Sequence, residues 1–162
     1  MAADRLKIVV FGGFNAGKST FVRALDAGAR HIEAKTEGGT TTVAFDFGRF
    51  ETNGRKVYVF GTPGQERFEF VREILARGMN GAIIVVDATV GCDATTMQTY
   101  AWLKEQRTPI AVMLNKCDLP GARPDAYADL LQADMTHRIS AREKANVRPA
   151  MEAFVASLVE SG

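Results

Sequence analysis

The sequence predicts a doubly wound α/β fold, in which a mostly parallel sheet carries helices on both faces. Apolar runs that suit buried strands alternate with helical segments along the 162 residues. The first run, residues 6–11, leads into a glycine-rich loop at residues 12–19 and then a helical stretch from Thr20. Right-handed crossovers between parallel strands would place all such loops at the carboxyl edge of the sheet. We expect six strands with one antiparallel edge strand, about five helices, and a single domain over residues 1–162.

The remaining elements follow from local patterns. Residues 26–42 contain three glycines and several charges and are predicted as a long irregular loop. Asn53-Gly54 favours a two-residue hairpin turn between strands at about residues 43–52 and 55–60. In chain order, we then expect a helix at 68–78, a strand at 82–87, a helix at 93–107, a strand at 110–114, a short helix near 125–132, a short strand at 137–139 and a final amphipathic helix from about Val147.

Composition narrows the functional classes. The net charge of +1 gives no indication of nucleic-acid binding or of an acidic membrane surface. The two cysteines, Cys92 and Cys117, suggest no disulfide framework, which fits a reducing compartment. Neither terminus carries a lipidation signal, and no apolar run reaches 18 residues. We therefore expect a cytoplasmic protein without its own lipid anchor.

The glycine-rich loop has the pattern G-x-x-x-x-G-K-S, which is typical of a phosphate-binding loop. Glycines at its ends allow backbone N–H groups to point inward around a phosphate. Lys18 would reach the β- and γ-phosphates, and the Ser19 hydroxyl would ligate Mg²⁺. A chance glycine-rich turn is the alternative, but the preceding strand and following helix favour a nucleotide site. The predicted phosphate-binding residues here are Asn15, Ala16, Gly17, Lys18, Ser19 and Thr20.

A second motif, Asn115-Lys116-Cys117-Asp118, indicates which base is bound. A carboxylate accepts two hydrogen bonds at once, and guanine offers N1–H and its 2-amino group side by side, whereas adenine does not. Asp118 therefore suits guanine, and a mismatched base would leave the carboxylate unpaired. Asn115 and the stem of Lys116 would hold this loop and cover the base. Alone, the motif would be read as a surface turn, but after the phosphate loop it predicts guanine binding.

With these motifs the chain resembles the Ras-like small GTPase superfamily. Three further stretches agree in type and order, namely T-T-T-V-A-F-D-F at residues 40–47, G-T-P-G-Q-E-R-F at 61–68 and S-A-R at 140–142. The phosphate loop is similar to that of Arf-like proteins, and the combination is similar to prokaryotic small GTPases of the MglA type. The resemblance implies a P-loop NTPase G domain that binds GTP and Mg²⁺, acts as a molecular switch and hydrolyses GTP to GDP.

The resemblance also implies roles for individual residues. Gln65 would orient the attacking water, and the Gly64 N–H would contact the γ-phosphate. Thr42 would join Ser19 as a metal ligand, with Thr40 and Thr41 as alternatives one or two positions away. The guanine-binding residues would be Asn115, Lys116, Asp118, Ser140, Ala141 and Arg142.

Two positions depart from the family pattern. Gly61 stands where relatives carry an aspartate that holds Mg²⁺ through water. Asp46, Asp87 or ordered waters could compensate, so that hydrolysis persists; otherwise the chain is a guanine-nucleotide-binding module with little or no hydrolysis. We favour hydrolysis because Gln65 and Ser19 remain. Asp46 could equally be an outward-facing strand residue. Phe14 would crowd the γ-phosphate, which predicts slow turnover and an activating protein.

Partners are expected at the two switch regions. Effectors and a GTPase-activating protein would dock there, and a relative of the MglA type would meet a dimeric roadblock-fold activator. Arg67 is read as a partner contact, with an internal arginine finger as the alternative. In Arf-like and MglA-like relatives the strand pair around Asn53-Gly54 slides with the nucleotide state. We expect a monomer, and the chain has no spare length for the lid and second-substrate site of a kinase.

Overall fold

The computed structural model describes residues 5–13, 15–35, 42–62, 75–128 and 131–160. Within these ranges there are seven strands and four helices. In chain order they are β1 (Arg5–Gly12), α1 (Lys18–Leu25), β2 (Arg30–Lys35), β3 (Thr42–Thr52), β4 (Arg55–Gly61), β5 (Gly81–Asp87), α2 (Ala94–Glu105), β6 (Ile110–Asn115), α3 (Pro124–Ala128), β7 (Met135–Arg138) and α4 (Val147–Glu160).

The strands form one mixed sheet in the order β2-β3-β4-β1-β5-β6-β7. From β4 to β7 all neighbouring strands are parallel, whereas β3 runs antiparallel to both β2 and β4. This confirms the predicted α/β class with its mostly parallel sheet. Asn53 and Gly54 form the predicted two-residue turn between β3 and β4, with φ values of 51° and 75°.

The sheet has seven strands where six were expected, because residues predicted as irregular loop form strand β2. This strand pairs with β3 in a register that runs from Arg30 opposite Phe47 to Lys35 opposite Thr42. The antiparallel strand β3 is therefore second from the edge, and β2 is the edge strand. Its charged sequence gives little strand propensity, so the pairing partner decides its conformation. The helix predicted at 68–78 falls largely on residues 63–74, outside the described residues.

Side chains alternate between the two faces of the sheet and build a hydrophobic core on each. On one face, Ile8, Val10 and Val59 pack with α1 and α4, whose Phe21 and Phe154 are fully buried. The other face has a second core, which includes Val9, Phe11, Ile84 and, from α2, Leu103. Central strands buried on both faces explain the continuous apolar runs of β1, β5 and β6.

This packing brings the motif loops to one edge of the sheet. Strands β1, β5 and β6 are parallel neighbours that end at Gly12, Asp87 and Asn115. Asp87 and Asn115 are register partners, and Gly12 lies opposite Val85. The glycine-rich loop and the Asn115-Lys116-Cys117-Asp118 loop therefore start side by side. Among the helices of the described ranges, none combines the length and apolar character needed to cross a bilayer.

Candidate nucleotide-binding site

The phosphate loop connects β1 to α1 and closes over a buried lysine. Gly17 precedes α1 with a φ of 102°, a conformation that favours glycine. A Cβ at Gly17 would lie 2.3 Å from the Nδ2 of Asn115, so the two loops meet at this residue. The Ala16 N–H donates to the Gly13 carbonyl at 3.1 Å, and the Phe21 N–H donates to the Gly17 carbonyl at 2.8 Å. The loop is thus fixed by its own backbone and by its neighbour.

Lys18 points back into this loop. Its ammonium donates to the carbonyls of Gly12 at 2.6 Å and Gly13 at 3.0 Å. Burial lowers the pKa of Lys18 to about 8, against the opposing effect of the carboxylates of Asp93 and Asp46. An incoming phosphate would supply the negative charge that this buried cation requires.

A cavity of about 550 Å³ opens beside the loop. All six phosphate-binding residues predicted in the loop line it, from Asn15 to Thr20. His31, Asp46, Gly61, Thr62 and Lys116 complete much of the wall. One end of the cavity is lined by Ser19, His31, Asp46 and Gly61, and we call it the metal end because Ser19 is a predicted metal ligand. The loop that carries Lys116 borders the cavity.

At the metal end, Asp46 lies beside Gly61, the position that lacks the carboxylate expected from the resemblance. Ser19 Oγ donates to Asp46 Oδ2, and His31 Nδ1 lies 3.1 Å from Asp46 Oδ1. Asp46 is the register partner of Gly61, and a Cβ built on Gly61 would lie 3.4 Å from the Asp46 Cβ. Asp46 thus lines the cavity, which disagrees with its alternative interpretation as an outward-facing strand residue.

Asp87, the other acid considered as compensation, is engaged elsewhere. Its Oδ2 accepts from Lys116 Nζ at 2.7 Å, and its Oδ1 accepts from the Thr89 N–H at 2.8 Å. Burial raises the pKa of Asp87, but hydrogen bonds from Lys116 and Thr89 outweigh that effect and hold the pKa below its ordinary value. Asp87 is therefore an ionised partner of Lys116. We call the loop Asn115-Lys116-Cys117-Asp118 the guanine loop.

Three loops meet at what we call the guanine end: the phosphate loop, the loop after β6 and the loop after β7. We define the guanine end as Asn115, Lys116, Asp118, Ser140 and Ala141. Buried Asn115 donates from Nδ2 to the Ala16 carbonyl at 2.9 Å and accepts the Ala141 N–H at Oδ1, also at 2.9 Å. Ser140 Oγ donates to Asp118 Oδ1 at 2.8 Å, which fixes the carboxylate orientation. Arg142 follows Ala141 and is exposed. The structure therefore brings these predicted guanine residues beside the phosphate loop.

Several predicted residues lie outside the described part of the chain. These are Phe14, Thr40, Thr41, Gly64, Gln65 and Arg67, together with the side chain of Thr42. The sequence reasoning missed His31, because its residues were read as loop and only the pairing of β2 with β3 places it beside Asp46. It also missed Thr62, which is buried and donates from Oγ1 to the Val10 carbonyl at 3.0 Å.

Comparisons with known proteins agree with this geometry. The sequence profile of the elongation factor Tu GTP binding domain matches residues 3–159. An uncharacterized protein of Methanocaldococcus jannaschii is 36% identical over 119 residues, which are 74% of this chain and 75% of that protein. Translation initiation factor IF-2 of Pelotomaculum thermopropionicum is 36% identical over 118 residues, which are 73% of this chain but 12% of that factor. The chain thus spans a small part of the matched initiation factors.

Solved structures show the same fold at low identity. Translation elongation factor SelB of Methanococcus maripaludis, in complex with the GTP analogue GppNHp, has a TM-score of 0.76 at 19% identity, over 100% of this chain and 35% of SelB. The Arl6 BBS3 small GTPase of Trypanosoma brucei, with bound GppNp, has a TM-score of 0.70 at 19% identity, over 98% of this chain and 99% of that one. These similarities confirm the predicted G-domain fold.

Proposed function

This chain belongs to the elongation factor Tu GTP binding domain family, and we propose that it is a molecular switch that binds GTP with Mg²⁺ and hydrolyses it slowly to GDP. The observation that carries this proposal is the joining of the phosphate loop to the guanine end through Asn115, which contacts Ala16 and Ala141 with the two atoms of one amide. A single ligand with phosphates at one end and guanine at the other would span this arrangement.

Asp118 is proposed to select guanine. Ser140 occupies one lone pair of Asp118 Oδ1 and leaves the carboxylate oriented to accept from the base. Guanine would satisfy it with N1–H and the 2-amino group. A base without both donors would leave a desolvated carboxylate unpaired, which is the kind of mismatch that gives discrimination of about 10⁴ or more.

The residues at the metal end fit Mg²⁺. Hydroxyl and carboxylate oxygens are the donors that Mg²⁺ prefers, and Ser19 and Asp46 provide both beside the phosphate loop. Because Ser19 gives its hydrogen to Asp46, its lone pairs remain available to a cation. We propose Ser19 and Thr42 as protein ligands, and Asp46 as the carboxylate that takes the role of the one absent at Gly61. When bound, Mg²⁺ would neutralise charge on the β- and γ-phosphate oxygens.

The chain's own residues would then carry the hydrolytic step. Lys18 would move its ammonium from the loop carbonyls to the phosphates, Gly64 would donate its N–H to the γ-phosphate, and Gln65 would orient the attacking water. Bulk at Phe14 supports a low intrinsic rate and a need for an activating protein at the switch regions. A roadblock-fold activator remains a proposal that rests on the resemblance to proteins of the MglA type.

Gly61 favours a second candidate function, a guanine-nucleotide-binding module without hydrolysis of its own. A single-turnover assay separates the two. The protein is loaded with GTP and Mg²⁺, and conversion to GDP is followed beside a Gln65→Leu variant. The switch-enzyme proposal predicts conversion by the wild type, with a rate constant below several per minute, and little or no conversion by the variant. Retention of GTP by both proteins over hours would favour the binding module.

A further inference from the structure

The ammonium of Lys116 makes two contacts that join the guanine loop to the phosphate loop. It donates to the Asn15 carbonyl at 2.8 Å and to Asp87 Oδ2 at 2.7 Å. Asn15 and Lys116 both have left-handed backbone conformations, with φ values of 63° and 65°. Residues other than glycine remain in this conformation when their surroundings hold them there. The lysine therefore links two strained turns, one from each half of the nucleotide site.

Asp87 is held in place by hydrogen bonds other than the one it accepts from Lys116. It ends β5, and its Oδ1 accepts from both the N–H and the Oγ1 of Thr89, at 2.8 and 2.5 Å. Its carbonyl accepts from the N–H groups of Val90 and Gly91 at 3.1 and 2.8 Å. The side chains of Asp87 and Lys116 are 13% and 31% exposed, so the bond between them is partly shielded from water. A rigid turn thus presents one carboxylate oxygen to Lys116.

We propose that Asp87 is a positioning residue that holds the Lys116 ammonium on the phosphate loop and thereby slows nucleotide release. Asp87 acts through Lys116 and lies on a strand that carries none of the nucleotide motifs. With the ammonium held, the lysine stem stays over the base and Asn15 keeps its place in the phosphate loop. Without the carboxylate, the lysine is free to leave, and both loops loosen together. This inference rests on the guanine-nucleotide binding proposed above.

The test measures dissociation of fluorescent GDP, chased with excess unlabelled GDP, from the wild type and from Asp87→Asn. The asparagine keeps the shape and the Thr89 contacts but removes the charge. We expect release to be about tenfold faster, because Lys116 loses the group that holds it on the phosphate loop, and changes at a binding site act mainly on the dissociation rate. Asp125→Asn is the matched control: it removes the charge from an exposed pair with Arg138 and should leave release unchanged.

A double-mutant cycle separates positioning from a general structural effect. In a Lys116→Met background, Asp87→Asn should change release by less than about twofold, because the group it holds is gone. A tenfold effect in both backgrounds would overturn the proposal. If Asp87→Asn does not fold, Thr89→Val replaces it in the same cycle, with an expected acceleration of a few-fold that disappears in Lys116→Met.

The outcomes also distinguish this inference from the proposed function. If wild-type protein does not bind fluorescent GDP, both the proposed function and this inference are wrong. If the wild type binds fluorescent GDP and Asp87→Asn releases it at the wild-type rate, only the role of Asp87 is wrong.

Discussion

The guanine end and the metal end of the candidate nucleotide site are built in different ways. At the guanine end, Asn115, Asp118 and Ser140 follow the family pattern, and short loops after β6 and β7 bring them together. At the metal end, the carboxylate that the resemblance predicts is absent at Gly61, and Asp46 lies beside Gly61 on the neighbouring antiparallel strand. Two short sequence motifs therefore specify the guanine end, whereas strand register assembles the metal end. Substitutions at the guanine end should change which base binds, and those at the metal end should change only the dependence on Mg²⁺.

The largest effect is expected from Asp118→Asn. An asparagine amide offers one acceptor and one donor, so it no longer matches the two donors of guanine but suits xanthine, whose 2-position carries a carbonyl. Affinity for GDP should fall by about 10⁴-fold, and affinity for XDP should rise above it. Fluorescent-nucleotide titrations with both bases measure this. Equal losses for GDP and XDP would mean that Asp118 supports the loop and does not read the base.

Gly17→Ala should weaken nucleotide binding, because Gly17 is where the phosphate loop meets Asn115 of the guanine end. The new Cβ would combine a left-handed φ of 102° with a 2.3 Å approach to Asn115 Nδ2, so Asn115 would have to move away from the Ala16 carbonyl. We expect GDP affinity to fall by about tenfold or more, with or without Mg²⁺, because a buried amide that loses its hydrogen bond costs about 1–3 kcal/mol and 1.4 kcal/mol is tenfold.

Gly54→Ala is the matched control for that substitution. Gly54 also has a positive φ, 75°, but a Cβ there would have no atom within 4 Å. It should cost some stability in thermal unfolding and leave GDP affinity unchanged. Similar losses of affinity in both variants would show that backbone strain, and not the displaced Asn115, weakens binding.

The smallest effect is expected from His31→Ala. The His31 side chain is 58% exposed, and interactions of exposed charged groups contribute little. The Mg²⁺ concentration needed to slow GDP release should therefore rise only by about two- to threefold. His31→Gln, which keeps a donor, should recover most of this difference. A shift as large as that caused by removing the Asp46 carboxylate would make His31 a principal residue of the metal end.

The sequence predicted the central part of the fold well. Strands β1, β5 and β6 are buried on both faces and read as continuous apolar runs, and Asn53-Gly54 marks its turn directly. Strand β2 was not predicted, since Arg30, Glu33 and Lys35 resemble a loop until β3 pairs with them. Its conformation depends on a tertiary partner, which single-sequence patterns do not contain.

In the candidate site, too, local sequence patterns predicted some residues, whereas others depend on a tertiary partner. The residues of the phosphate loop and the guanine loop could be named because each set is contiguous and its spacing has a chemical reason. For the missing carboxylate, the sequence left Asp46, Asp87 and ordered waters as alternatives. Strand pairing places Asp46 beside Gly61 and Asp87 beside Asn115, so the two acids lie at different ends of the site. Spatial neighbours from separate strands carry no signature in the sequence of either strand.

The most direct measurement for the role of Asp46 is a Mg²⁺ titration of GDP release in four proteins: wild type, Asp46→Asn, Asp46→Ala combined with Gly61→Asp, and the remote control Asp125→Asn. Loss of a group that orients a metal's ligands weakens metal binding by about 10–100-fold, so Asp46→Asn should need that much more Mg²⁺. The double variant returns a carboxylate to the other strand and should recover much of the loss. If Asp46→Asn needs the same Mg²⁺ concentration for half-maximal slowing of GDP release as the wild type and Asp125→Asn, Asp46 does not take the role of the missing carboxylate.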